Sequence, residues 1–136
     1  MADAHRPDPA TVVVLVAHGS RAAAANDAHR LVAAELGERT GRSVVPAFLE
    51  LAEPSIPDAI DAVAATGAAE VLVLPHFLYP GRHLVEDIPA LVGTAARRHP
   101  DLTITLLPAS GADPALVDLL AAQVGRGAGG PAAGGR

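Results

Sequence analysis

The chain has 136 residues and a net charge of −5; half of the residues are apolar, yet only Phe48, Phe77 and Tyr79 are aromatic. All ten basic residues are arginine and there is no cysteine, which excludes a lysine Schiff base, a phosphate-loop lysine, disulfides, thiolate metal sites and a cysteine-held iron–sulfur cluster. No basic cluster exceeds Arg97–Arg98, so nucleic acid is not an expected partner, and no apolar run approaches the roughly 20 residues that cross a membrane.

The first ten residues, MADAHRPDPA, carry acids and prolines with no apolar segment; they read as a flexible terminus of a cytoplasmic protein, not as a signal peptide. Four β-branched, apolar runs follow: Thr11–Ala17, Ser43–Leu49, Glu70–Leu74 and Thr103–Leu107. Each precedes a segment of helical character. The first helix is expected from about Ala22 to Thr40, with Ala28, Leu31, Val32, Glu35 and Leu36 at helical spacing and Gly41 as its stop. The second begins at Pro54, with Glu53 as cap, and ends before Gly67. The third covers Val85–His99, with Glu86 or Asp87 at its start. The fourth starts at Asp113-Pro114 and fades by Val124. Alternation of this kind predicts an α/β fold, a four-stranded parallel sheet flanked by helices in three layers. It forms a single domain over residues 11–124, and the Gly/Ala-rich residues 125–136 bury too little to be ordered.

Chemistry is expected where strands end, because open parallel sheets bind ligands in the crevice beyond their carboxyl edge. His18 follows the first strand within His18-Gly19-Ser20-Arg21, and His83 follows the third within Phe77-Leu78-Tyr79-Pro80-Gly81-Arg82-His83. Two imidazoles there can bind a divalent metal or move protons. Gly19 permits a sharp turn, Ser20 suits a helix cap or an anion contact, and Arg21 can grip a carboxylate in forked geometry. Asp87, four residues after His83, either orients that ring or serves the helix N-terminus. Glu50 ends the second strand at the same edge and can ligate a metal or accept a proton. His76 either points into the crevice or is satisfied beneath the loop, the latter being favoured, while His5, His29 and His99 read as solvated surface residues.

Three motifs in order, AHGSR, FLELAEPSIPDAI and LPHFLYPGRHLVEDIPALV, resemble those of the small sirohydrochlorin chelatases, members of the class II chelatases. The resemblance covers about Val12–Leu107 and implies a chelatase-like (flavodoxin-like) fold. It implies insertion of Co²⁺ or Fe²⁺, with Ni²⁺ equally suited to imidazole, into sirohydrochlorin without ATP, in cobalamin or siroheme biosynthesis. The family's two histidines map onto His18 and His83 as catalytic residues and metal ligands, and its glutamate onto Glu50; His76 receives no role. Ser20, Arg21 and Arg82 are then candidates for holding substrate carboxylates. Plant relatives carry a cysteine-bound cluster that this chain cannot form. Larger members hold two such lobes, so a one-lobe chain is expected to act as a homodimer. A metal-carrier domain is the non-enzymatic alternative. A histidine phosphatase is disfavoured, because Ala17 stands where that chemistry needs arginine.

Overall fold

The computed structural model describes residues 10–129; the expectations for residues 1–9 and 130–136, His5 included, lie outside them. Four strands, β1 (Thr11–Ala17), β2 (Ser43–Phe48), β3 (Glu70–Pro75) and β4 (Thr103–Leu106), form one sheet in the order β2-β1-β3-β4. Every pairing is parallel. The central strand β1 is buried over six of its seven residues, which is why it reads as an unbroken apolar run instead of an alternating one.

Alternation then divides the side chains between the two faces. Val12, Val14, Val16, Val71 and Val73 join the core with Ile56, Ala59, Ile60 and Val63 of α2 (Ile56–Ala65) and Ile88, Val92 and Ala95 of α3 (Ile88–Arg98). Fully buried residues such as Ile60 contribute about 1.5–3 kcal/mol each by leaving water. The opposite face, carrying Val13 and Leu15, lies under α1 (Ala23–Thr40), whose His29 bonds to the Leu15 carbonyl. A fourth helix, α4, spans Ala115–Ala128.

The helices depart from expectation at four points. The buried residues of α1 are Asn26, His29 and Ala33, whereas Leu31 and Val32 are exposed; an alanine-rich helix carries little apolar asymmetry of its own. Its stop at Gly41 is as expected, with φ 69° and an N–H donated to Gly37 O. The cap of α2 is Ser55, which accepts from Asp58 N, so the helix begins two residues beyond Pro54 and Glu53 is not its cap. A π-helical turn, His83–Asp87, runs directly into α3, and Ile88 N–H closes it on His83 O. Finally, α4 continues to Ala128, so residues 125–128 are helical, not part of a disordered tail.

His29 and His99 are not solvated surface residues. His29 is buried, donates Nε2–H to Leu15 O at 2.9 Å, and packs edge-on against Phe48. Burial, as the main cause, holds its pKa below the ordinary 6.5. The unfolded chain therefore binds a proton at His29 that the folded chain refuses, so stability falls as pH drops below about 6.5. Urea midpoints should be lower at pH 5.5 than at pH 7.5, and His29→Gln should flatten part of that slope. An unchanged slope would contradict the assignment. His99 is half-buried and bonded to Asp61 at 2.7 Å. That bond, with Arg98 adding to it, lowers the Asp61 carboxyl below its ordinary 3.8, so its contribution to stability persists above that value and is lost as pH falls through the lowered one.

Candidate metal centre

The parallel pairing of β1 and β2 extends past both strand ends. Leu49 N donates to Ala17 O, and Glu50 N donates to His18 O at 3.0 Å. This zipper sets the Glu50 side chain beside His18, with His18 Nε2 and Glu50 Oε2 3.3 Å apart. Gly19 makes the approach possible. Its φ is 97°, and a Cβ there would lie 1.7 Å from the Glu50 carbonyl oxygen. Leu51, next to Glu50, holds φ 67°, a left-handed conformation that costs a bulky residue about 1–3 kcal/mol and is tolerated chiefly at functional positions.

His83 arrives from the other side, at the first position of the π-helical turn. Such turns are frequent at functional sites. Its ring lies 4.9 Å from the His18 ring, centroid to centroid, at 66°. Asp87 accepts from His83 Nδ1 at 2.7 Å. Of the two readings of Asp87, the ring-orienting one describes its side chain, which makes no cap hydrogen bond.

Tautomers follow from the acceptors. A backbone carbonyl only accepts, so His18 Nδ1 carries the hydrogen that meets Gly19 O at 3.1 Å. The Asp87 carboxylate likewise fixes the hydrogen of His83 on Nδ1. Both Nε2 atoms therefore present lone pairs. One ligand atom from each of His18, Glu50 and His83 lies within 4.8 Å of the other two. With both rings neutral, lone pairs and a carboxylate converging at this range repel one another unless a proton or a metal cation sits among them, and imidazole with carboxylate suits first-row divalent metals. The site is half-open: the side chains of His18, Glu50 and His83 are 43%, 50% and 44% exposed. A cleft lined by Leu49, Glu50, His83, Asp87, Ala90 and Leu91 leads to it.

The remaining candidates lie around this cluster. Ser20 does not cap α1; its Oγ accepts from Ala22 N, and Asn26 clamps its backbone through N–H to Oδ1 at 3.0 Å and Nδ2 to O at 2.8 Å. Arg21 is exposed, and Arg82 makes only a long, solvent-screened approach to Glu86 at 3.9 Å. Asn26 was not legible as a site residue, although a polar side chain at a helical spacing from buried positions is a signal of that kind. His76 is hydrogen-bonded as favoured, to Ser110 Oγ at 3.0 Å, but it is exposed instead of lying beneath the loop, and it stacks on His29 with centroids 6.3 Å apart. It contributes no atom to the converging cluster. His76→Gln should therefore leave the metal concentration for half-maximal occupancy within about threefold of wild type; a shift of tenfold or more, the scale of losing metal support, would count His76 among the ligands.

A sequence profile of the CbiX family matches residues 12–126. The chloroplastic sirohydrochlorin ferrochelatase of Arabidopsis thaliana is 38% identical over 109 residues, 79% of this chain and 48% of that protein. The solved structure of a putative cobalamin biosynthesis CbiX protein from Marinobacter aquaeolei superposes with a TM-score of 0.70 at 30% identity, over 85% of this chain and 98% of the other. The sirohydrochlorin chelatase SirB of Bacillus subtilis, solved with cobalt, gives a TM-score of 0.70 at 26% identity, over 85% of this chain and 50% of that one. The chain thus spans about half the length of the Arabidopsis and B. subtilis proteins.

Proposed function

Because the chain belongs to the CbiX family, we propose that it inserts Co²⁺ or Fe²⁺ into sirohydrochlorin, without ATP, as a step of cobalamin or siroheme biosynthesis. The observation that carries this reading is the convergence of one ligand atom each from His18, His83 and Glu50. The arriving metal is substrate, held by His83 as principal ligand, with His18 on the same side and Glu50 assisting.

Insertion exchanges one divalent cation for two pyrrole protons. As each metal–ligand bond passes from the cluster to a pyrrole nitrogen, the vacated lone pair becomes the base for the proton that nitrogen releases. His83 takes one proton at Nε2, and His18 or Glu50 takes the other. The cluster thus exchanges a charge of +2 for two protons, and no net charge is stranded in the cleft. Asp87 balances the imidazolium formed at His83. Half-exposure of all three side chains then lets the protons leave to water.

Substrate recognition asks for cations and apolar wall, since the tetrapyrrole is flat and edged with carboxylates. Arg21 and Arg82 flank the two histidines in sequence, and their exposed guanidinium groups can each grip a carboxylate. The Ser20 hydroxyl, which accepts from Ala22 N, retains its own hydrogen for donation. Exposed Leu51, Leu78, Tyr79 and Val85 supply apolar surface next to these positions. A planar substrate is best enclosed from two sides, so the working form is a homodimer, with the loop and helix around Phe77–Leu91 facing the partner. The setting proposed is the cytoplasm; no described helix is long and apolar enough to cross a membrane.

The test is loss of metal-free sirohydrochlorin absorbance on adding Co²⁺ or Fe²⁺, followed to many turnovers per chain. Catalysis predicts multiple turnovers above the uncatalysed rate. Transfer that stops at one metal per chain would instead describe a carrier.

A further inference from the structure

The buried residues of α1 are mostly polar: Asn26 and His29 beside Ala33. His29 Nε2 donates to Leu15 O at 2.9 Å. Asn26, nearly one turn earlier, holds Ser20 on both sides, accepting from Ser20 N at Oδ1 over 3.0 Å and donating from Nδ2 to Ser20 O over 2.8 Å. The helix therefore grips the chain on either side of His18.

Asn26 turns its side chain away from its own helix. The cap of α1 is Ala22, which makes no side-chain bond, and Asn26 follows a run of alanines, Ala22–Ala25. Asparagine is a poorer helix former than alanine because its amide competes for nearby backbone groups. Here that competition serves the preceding turn. The amide is only 8% exposed, and burying it without those two bonds would be unfavourable.

A single peptide unit connects Asn26 to His18. The unit that joins Gly19 to Ser20 gives its N–H to Asn26 Oδ1 at 3.0 Å, and its carbonyl accepts from His18 Nδ1 at 3.1 Å. Rotating this peptide would withdraw the carbonyl from the ring. Glycine at 19, with φ 97°, has no side chain to oppose such a rotation. On the near side the backbone is held by Glu50 N on His18 O; on the far side it is held by Asn26. Hydrogen bonds in line through one amide also strengthen each other.

Which nitrogen of a neutral imidazole is free to bind a metal is set by the bond that the other one makes. His83 has Asp87 for this purpose, in direct contact at 2.7 Å. The corresponding partner of His18 is a backbone carbonyl. We infer that Asn26 is the positioning residue of His18. It holds the Gly19–Ser20 peptide so that the Gly19 carbonyl fixes the ring hydrogen on Nδ1, and Nε2, 3.3 Å from Glu50 Oε2, is left free to take a metal. What this does for the metal rests on the function proposed above, whereas the tautomer depends on the hydrogen-bond geometry alone.

The test reads tautomer and metal separately. Nitrogen-15 shifts of the imidazoles are recorded on the metal-free full chain at about pH 8.5, well above the ordinary histidine pKa of about 6.5. Co²⁺ alone is then titrated into the same samples. In the wild-type protein His18 should carry its hydrogen on Nδ1. Asn26→Ala should move a large share of it to Nε2, leave His83 unchanged because Asp87 still holds it, and weaken Co²⁺ binding by about tenfold. His29→Gln, which alters the other grip of α1, should leave the His18 signature and the Co²⁺ affinity as in wild type; that separates positioning from a general loss of stability. Asn26→Ser, too short to span both Ser20 groups, replaces Asn26→Ala should that variant misfold. A wild-type His18 with its hydrogen on Nε2 would overturn the inference. So would a folded Asn26 variant with the wild-type tautomer, or a changed tautomer with unchanged Co²⁺ affinity. Should Co²⁺ fail to bind the wild-type protein while the Asn26 variant still shifts the His18 hydrogen, the metal-centre reading falls and positioning by Asn26 stands.

Discussion

His83→Ala is expected to lower the rate of metal insertion by at least about 100-fold, the lower range for loss of a group that moves protons in the transition state, since the same side chain is proposed to hold the metal. The fold survives, because His83 is half-exposed at the start of a π-helical turn whose backbone bond to Ile88 does not involve the side chain. His18→Ala has an effect of the same order for the same reason. Asp87→Asn keeps the shape but removes the charge that fixes the Nδ1 hydrogen, and it costs about 10–100-fold, the scale for support behind a metal ligand. Turnover from sirohydrochlorin absorbance, beside circular dichroism, reads all three. Near-wild-type turnover in a folded His83→Ala protein would remove the chemistry from this cluster.

Gly19→Ala is expected to damage both stability and activity. The new methyl carbon would lie 1.7 Å from the Glu50 carbonyl oxygen and 2.9 Å from its carbon, at a φ of 97° that side chains rarely adopt. Backbone cannot yield as a flexible side chain would, so either the β1–α1 turn or the Glu50 segment moves. Since Glu50 N is tied to His18 O, either movement separates the two ligands. The conformational part alone costs about 1–3 kcal/mol, and misplacing a ligand by an ångström costs about 100-fold in rate. Thermal melting and turnover at saturating metal check the two parts. A variant that melts and turns over as wild type does would mean that the two strand ends are not locked together as described.

The fold was legible because parallel, doubly covered strands announce themselves. The TVVVLVA run matches β1 residue for residue, and the other three strands end within one residue of expectation. His18, Glu50 and His83 were legible for a related reason: topology alone brings strand ends to one edge, so residue type and position sufficed. Their mutual distances were not legible, because they depend on Gly19 and on the π-helical turn, and neither a close backbone approach nor an i+5 bond leaves a periodic trace. The burial of His29 escaped for a different reason. Its partner, the Leu15 carbonyl, is a backbone group 14 residues away, and a histidine flanked by Ala28 and Arg30 carries no sign of it. The cap at Ser55 was hidden behind Pro54, the more conspicuous residue. Likewise the start of α4 was legible from Asp113-Pro114, but only the structure shows that Val117, Leu119, Leu120 and Val124 along it stay exposed.

The proposed chemistry requires a divalent cation to bind among His18, Glu50 and His83. The most direct measurement is a crystal structure of the wild-type protein with Co²⁺, using anomalous scattering to locate the ion without reference to the protein. A peak is expected at about 2.0–2.2 Å from His18 Nε2, His83 Nε2 and a Glu50 oxygen, the range for imidazole and carboxylate on ions of this size, with the His83–Asp87 hydrogen bond retained. A peak on His76, or elsewhere with the His18–Glu50–His83 cluster free of metal, would contradict it.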